Sequence, residues 1–166
     1  MDAVILLEKC LWFGLAATGF AILFNVPSRT LLPVFILGAV GGITKVILID
    51  YFHINIIIAT FCGSSIIGIL SIPFAHKRHA PPPTFAIPAI IPMVPGVLAY
   101  KMMQGLIYIA SGDANPALIS ETVTHGLKVM FILMSLAAGV ELPMLITRKQ
   151  SAKELRFKKT YKKEEH

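Results

Sequence analysis

Charged residues are scarce in this sequence. Asp, Glu, Lys and Arg make up 14% of the 166 residues, whereas 55% are hydrophobic and the mean hydropathy is +0.74. A water-soluble domain of this length could not bury so large an apolar share in a single core. The composition therefore excludes a soluble fold and predicts an integral membrane protein.

Sequence patterns of enzymes and cofactor sites are also lacking. No GxSxG, HExxH, Walker or GxGxxG motif occurs, and no serine lies in a nucleophile context. The two cysteines, Cys10 and Cys62, lie in apolar runs and form neither a CxxC pair nor a disulfide framework. His76 and His79 have the spacing of a ligand pair, but the basic loop around them repels a metal ion. We expect no enzyme activity, no cofactor and no metal.

Apolar residues instead form segments of about 20 residues, the length that carries a helix across a bilayer. The five segments cover about 3–25, 31–50, 54–75, 86–110 and 122–147. The second segment contains Lys45 and meets the third through "DYFHIN", which requires a tight turn or a re-entrant hairpin. The predicted fold class is therefore an all-α integral membrane protein, a bundle of five transmembrane helices, with four as the alternative.

Positive charge is concentrated at the end of the chain. Residues 148–166 hold eight of the fifteen basic residues and three acidic ones, which divides the chain into a transmembrane domain, 1–147, and a basic tail. Because basic loops mark the cytoplasmic side, we expect the tail and "HKRHAPPPT" to be cytoplasmic and "SGDANPALISE" to be outside. If the second segment spans, Arg29 is cytoplasmic and the N-terminus is outside; if it does not span, the N-terminus is cytoplasmic. No aromatic-rich platform accompanies the basic residues, so we expect no nucleic-acid binding.

The fourth segment is interrupted by prolines. In "AIPAIIPMVPGVLAYKMMQGLI", Pro88, Pro92 and Pro95 each remove a backbone donor and disfavour helical geometry in the preceding residue. Backbone broken at membrane depth must be buried in protein or line a wet cavity. We therefore predict a proline-broken helix near 86–97. The half-helix that starts after Pro95 and Gly96 would present free N–H groups and a positive dipole end to an anion.

Polar residues form a stripe on each of the last two segments. Lys101, Gln104 and Tyr108 share one helical face beside Tyr100, and Glu121, His125, Lys128, Ser135 and Gly139 share another. Polar residues inside a membrane usually serve a function, so we predict substrate contacts on the first stripe and a proton or charge relay through Glu121, His125 and Lys128. The alternative is structural: Lys101 snorkels to the interface or pairs with an acid, and the prolines only kink the helix.

Small residues can bring helices close together. Gly38 and Gly42 form a GxxxG pair, and Ala59, Gly63 and Gly68 add a second small surface in the third segment. In lipid such surfaces permit close helix packing. Packing within the chain and packing against another chain are both open.

Two stretches resemble a known family. "AIPAIIPMVPGVLAYKMMQGL" is similar to the proline-rich signature of the threonine/serine exporter family, in its small-subunit or C-terminal-domain form, and "GFAILFNVPSR" to its early motif. The positions that match are Asn25, Pro27, Arg29, Pro92, Pro95, Gly96, Tyr100 and Lys101. The resemblance covers most of 1–147 and implies an exporter component of the bacterial inner membrane. Its substrate would be threonine and serine or, in two-component systems, a dicarboxylate such as succinate.

These features lead to one preferred function and two alternatives. The preferred one is half of a secondary exporter that binds a small carboxylate at Pro95, Gly96, Tyr100, Lys101, Gln104, Asn25 and Arg29. A larger exporter-family subunit, absent from this chain, is the expected partner, and an antiparallel homo-oligomer is the alternative partner. The alternatives are a scaffold or binding subunit that does not transport, and a membrane-embedded enzyme, which lacks a nucleophile or a metal set.

Overall fold

A computed structural model describes residues 3–112 and 115–164, and the side chains of 4–112 and 115–147. The helices are α1 (Ala3–Leu23), α2 (Leu31–Asp50), α3 (Ile56–Arg78), α4 (Pro82–Ile90), α5 (Gly96–Ala110) and α6 (Pro116–Glu164). Short 3-10 helices precede α2 (Ser28–Thr30) and follow α4 (Ile91–Met93). The predicted all-α fold class is confirmed. The side chains of the predicted basic tail lie outside the described residues.

Four helical stretches are long and apolar enough to cross a membrane, and a bent pair supplies a fifth span if it is counted as one. The four are Val4–Leu23, Ser28–Asp50, Ile56–Arg78 and Pro116–Thr147, and the bent pair is Pro82–Met93 with Gly96–Ala110. The prediction of four or five spans is thereby confirmed. The second segment, despite Lys45 and its glycines, forms the continuous helix α2 of 20 residues.

A tight turn, rather than a re-entrant hairpin, joins α2 to α3. The amide of Ile54 donates to the Leu48 carbonyl at 3.0 Å, and His53 adopts the left-handed conformation with φ of 51°. The side chain of Asn55 then accepts from the amide of Ile57 at 3.0 Å and caps α3. A side-chain cap satisfies a helix N–H that would otherwise lack a partner. This short connection makes α2 and α3 antiparallel neighbours.

The basic connections lie at one end of the bundle. Residues 25–27, which follow α1, line a groove with Pro83 and Thr84, and the turn 81–83 lines another with Glu141 to Thr147 of α6. At the opposite end Lys9 forms an ion pair with Asp50 at 3.2 Å. The α1–α2 and α3–α4 connections therefore share the end at which α6 approaches the tail. This is the arrangement that five spans require, and the side of the membrane that it faces remains a prediction.

The small-residue surfaces of α2 and α3 pack against helices of the same chain. A Cβ on Gly38 would overlap Ala17 of α1, and one on Gly42 would overlap the Phe13 ring. In α3, a Cβ on Gly68 would lie 2.7 Å from the Val140 carbonyl oxygen of α6. Of the two possibilities that the sequence left open, the structure shows intrachain packing for these glycines. They are buried against α1 and α6 and therefore form no free surface for another chain.

The bent pair divides between two environments. Helix α4 packs against α1, α2 and α3, and Phe85, Ala86, Pro88 and Ala89 are buried there. Helix α5 turns away by 60° and packs mainly on α6, so most of its side chains are exposed. The close approach of α5 to α6 depends on Gly105, where a Cβ would overlap the hydroxyl of Thr122. The break thus separates a buried half-span from one that projects from the bundle.

Candidate functional site

The helix breaks at Val94 and Pro95. Val94 is extended, with φ −61° and ψ 136°, and Pro95 has φ −80° and ψ 65°. The amide of Gly96 donates to the Val94 carbonyl at 2.9 Å, so Pro95 is the centre of an inverse γ-turn. The predicted break near 86–97 is confirmed. The three prolines do not act alike, however, because Pro88 lies inside α4 and Pro92 lies in the 3-10 helix that follows it.

The prediction that Pro88 and Pro92 drive the preceding residues from helical geometry is wrong at both positions. Ile87 is helical within α4, and Ile91 has helical angles of φ −58° and ψ −40°. Pro88 removes one amide, whose acceptor would have been Thr84 in the first turn of α4. Pro88 is also fully buried, and the packing around it favours the helical path. Of the three residues that precede these prolines, only Val94 adopts the extended conformation that is expected before a proline.

A lysine from another helix binds the backbone at the break. Lys45 Nζ of α2 donates to the Met93 carbonyl oxygen at 2.8 Å, across 48 positions of sequence. That carbonyl ends a 3-10 helix and has no helical partner of its own, so an external donor is required at membrane depth. In the sequence, Lys45 stands out only as a charged residue that weakens the second apolar segment as a span. An intramembrane lysine is itself a signal of function, and that signal could have identified it.

The polar stripes of α5 and α6 face one another. Lys101, Gln104 and Tyr108 line a groove of about 210 Å³ with Glu121 and His125. Thr122, at the base of the groove, turns its hydroxyl to the Leu118 carbonyl at 2.7 Å. Lys101 forms no ion pair with any side chain that the structure describes. The groove therefore contains cationic, acidic and amide groups that are free to meet a polar solute.

The remaining predicted site residues lie at the helix break, in a second groove or on the exposed surface. Pro95 is buried at the break, and Gly96 and Tyr100 are exposed beside it. Asn25, in the left-handed conformation with φ of 56°, lines a separate groove of about 410 Å³ with Pro27 and Pro88. Five predicted residues line neither of these two grooves: Pro95, Gly96 and Tyr100 at the break, Arg29, which is exposed in the 3-10 helix before α2, and Lys128, which is exposed on α6. The predicted substrate set is thus spread over more than one surface.

The two histidines with ligand-pair spacing occupy different positions at the end of α3. His76 Nδ1 is 2.9 Å from the Ile72 carbonyl oxygen, and His79 ends α3 in the left-handed conformation with φ of 51°. Among the described residues, no three His, Cys, Asp or Glu side chains form a group that could hold a metal ion. The chemistry that this part of the chain offers is the binding of polar or charged groups by lysine, amide, imidazole and carboxylate side chains.

Comparisons with known proteins agree with this architecture. The sequence model of the family described as "Threonine/Serine exporter, ThrE" matches residues 9–146. An uncharacterized protein of Haemophilus influenzae is 37% identical over 147 residues, which are 87% of this chain and 48% of that protein. The chain therefore spans about half the length of this curated relative. No solved structure matches the chain. With its broken span and all-helical bundle, the chain belongs to the threonine/serine exporter (ThrE) family.

Proposed function

We propose that this chain is one half of a secondary exporter of the bacterial inner membrane, which moves threonine and serine or a dicarboxylate such as succinate. The observation that carries the proposal is the break at Val94 and Pro95, next to a half-helix that bears Lys101. Discontinuous helices with half-helix N-termini at membrane depth form the substrate sites of many secondary transporters. The family to which the chain belongs supports transport of small polar acids.

The substrate carboxylate would lie at the start of α5. No side chain caps this helix, and a Cβ at Gly96 would meet nothing within 4 Å. Lys101 follows in the second turn, and Gln104 shares its face and lines the same groove. Helix N–H groups favour an anion, and an ammonium adds a full charge. Tyr100, Asn25 and Arg29 would complete the path of the substrate through contacts made in other stages of the transport cycle.

Glu121 and His125 would supply the coupling proton. The two residues are one helical turn apart on α6 and line the groove together with Lys101. An imidazole can accept a proton at one ring nitrogen and donate one from the other, which is the chemistry that a proton relay requires. Lys128, which lies outside the groove lining, would contribute charge rather than a proton pathway.

A larger subunit of the same family would cover the exposed face of α5. Lys101, Gln104 and Tyr108 are all exposed in the single chain, and polar groups in contact with lipid are penalised. Exposed apolar residues, among them Val97, Met103 and Ile107, continue the same helix. A homo-oligomer is the alternative way to cover this face.

Flux in membrane vesicles tests the proposal. Vesicles that contain the chain and its larger partner are loaded with labelled threonine, serine or succinate, and efflux is compared for wild type, Lys101→Ala and the control Lys77→Ala. Lys77 is an exposed lysine in the last turn of α3, outside the groove. We expect Lys101→Ala to lose most of the flux at equal protein level, and Lys77→Ala to keep it. If the Lys101 variant assembles and transports as wild type does, the anion-binding role of Lys101 is refuted.

A further inference from the structure

Lys45 is held at the break by packing as well as by its hydrogen bond. A Cβ on Gly63 of α3 would lie 2.7 Å from the Met93 methyl carbon and 3.5 Å from Lys45 Cβ. The absence of a side chain at Gly63 therefore leaves the space that the Met93 side chain occupies, and the Lys45 stem packs beside it at ordinary contact distance. The stem emerges where α2, α3 and the 3-10 helix meet. Its ammonium is thereby directed to the carbonyl that ends the buried half-span.

The Lys45 ammonium has donors to spare. A lysine has three N–H donors, and the Met93 carbonyl is the acceptor that the structure gives to one of them. No carboxylate pairs with Lys45 among the described side chains. A carbonyl is neutral, so the positive charge of this half-buried lysine is left without a counter-charge. Intramembrane charges of this kind usually pair with a partner or mark the route of an ion or substrate.

The other side of the break is open. Met93 is buried against α3, but Val94 is 42% exposed and Val97 is 72% exposed. A Cβ at Gly96 would meet no heavy atom within 4 Å. A small molecule can therefore approach the turn from the side on which α5 leaves the bundle. The spare donors of Lys45 lie at the buried edge of the same turn.

We propose that Lys45 binds the carboxylate of the transported acid and supplies the counter-charge from the α2 side of the break. This assignment rests on the proposed function, and it adds a binding residue in the helix bundle to Lys101, which lies on the projecting helix α5. In the substrate-free chain Lys45 is bound to the Met93 carbonyl. When a carboxylate enters the turn, the spare donors of Lys45 bind it, and the ion pair replaces an uncompensated charge.

Three substitutions separate charge from backbone support. Lys45→Arg keeps the charge and the donors, Lys45→Gln keeps a neutral donor for the Met93 carbonyl, and Lys45→Met keeps the stem without a donor. Efflux of threonine, serine and succinate is measured in vesicles with the larger partner, with Lys77→Gln as the control. We expect the KM of the transported acid to rise at least tenfold in Lys45→Gln and Lys45→Met. We expect it to stay within threefold of wild type in Lys45→Arg and in the control.

A purely structural role gives a different pattern. If Lys45 only supports the break, Lys45→Gln keeps the wild-type KM and Lys45→Met loses maximal rate or protein level, and this result would overturn the proposal. A wild-type chain that moves none of the three acids would instead refute the proposed function. As an independent test, Lys45→Cys is made without Cys10 and Cys62 and is treated in vesicles with an aminoethyl thiosulfonate, which restores an ammonium. Recovery of low KM on treatment supports the proposal, and a low KM before treatment overturns it.

Discussion

Replacement of Gly105 by alanine should displace α5 from α6 and deform the polar groove. A Cβ at this position would overlap the Thr122 hydroxyl and lie 3.0 Å from Thr122 Cβ and Cγ2. Rotation of the threonine does not fully relieve the clash, because Thr122 Cβ, itself 3.0 Å from the new methyl group, does not move when χ1 changes. Overpacking of this kind costs about 1 to 3 kcal/mol. The gain in helix propensity from glycine to alanine is at most about 1 kcal/mol, so we expect net loss.

The consequence should be a shift of α5 rather than unfolding, because α5 packs mainly on α6 and most of its side chains are exposed. Tyr108 and Leu118 line the groove from opposite helices and can be replaced by cysteines in a background without Cys10 and Cys62. The rate of disulfide formation between them reports the approach of α5 to α6. We expect a lower rate in Gly105→Ala, together with reduced efflux.

Gly19→Ala is the matched control. It lies in the C-terminal part of α1, and a Cβ there would meet nothing within 4 Å. We expect it to leave both the cross-linking rate and efflux unchanged. The double variant Gly105→Ala, Thr122→Ala removes two of the overlapping atoms and should recover part of the rate. Wild-type cross-linking and efflux in Gly105→Ala would refute the role of this contact.

Three further predictions concern topology, helix packing and assembly. Single cysteines at His79 and Asn115, in a background without the native cysteines, should be labelled from opposite sides of the membrane, with His79 cytoplasmic, and labelling from one side would contradict the orientation. Gly68→Leu should lower the thermal midpoint of unfolding and the protein level, because its Cβ alone would lie 2.7 Å from the Val140 carbonyl oxygen. Such a clash should cost at least about 1 to 3 kcal/mol. An unchanged midpoint would refute the close α3–α6 contact. The chain reconstituted at one copy per vesicle should not move substrate until the larger subunit is added, and full flux without it would exclude the partner requirement.

Local features of the sequence predicted most of the architecture. Apolar runs of bilayer length predicted the spans, and Pro95 with Gly96 predicted the break, since both signals depend on residues close together in sequence. The helical stripes predicted that Lys101 and Gln104 share a face, and the structure adds that this face meets Glu121 and His125 across a groove. The shared face follows from helix periodicity alone, whereas the meeting of the two faces depends on how α5 packs on α6.

Features that depend on tertiary contacts could not be predicted in this way. The bond from Lys45 to Met93 joins residues 48 positions apart, and no pattern within either segment indicates the other. Ile87 stays helical although it precedes Pro88. The surrounding helices bury Pro88, and this packing overrides the preference of a residue before proline for extended geometry. The sequence also did not predict that Gly38 and Gly42 pack on α1. Small residues permit close approach of helices but do not specify which helix is the partner.

Substrate protection of a cysteine at Gly96 tests most directly whether the break is the transport site. The position is exposed and its Cβ would meet nothing within 4 Å, so the side chain should be tolerated and reachable by a thiol reagent. In vesicles that contain the partner and transport the acid, we expect saturating substrate to slow labelling of Gly96→Cys severalfold and to leave that of Gly19→Cys unchanged. Equal labelling of Gly96→Cys with and without substrate, in vesicles that still transport, would contradict a substrate site at the break.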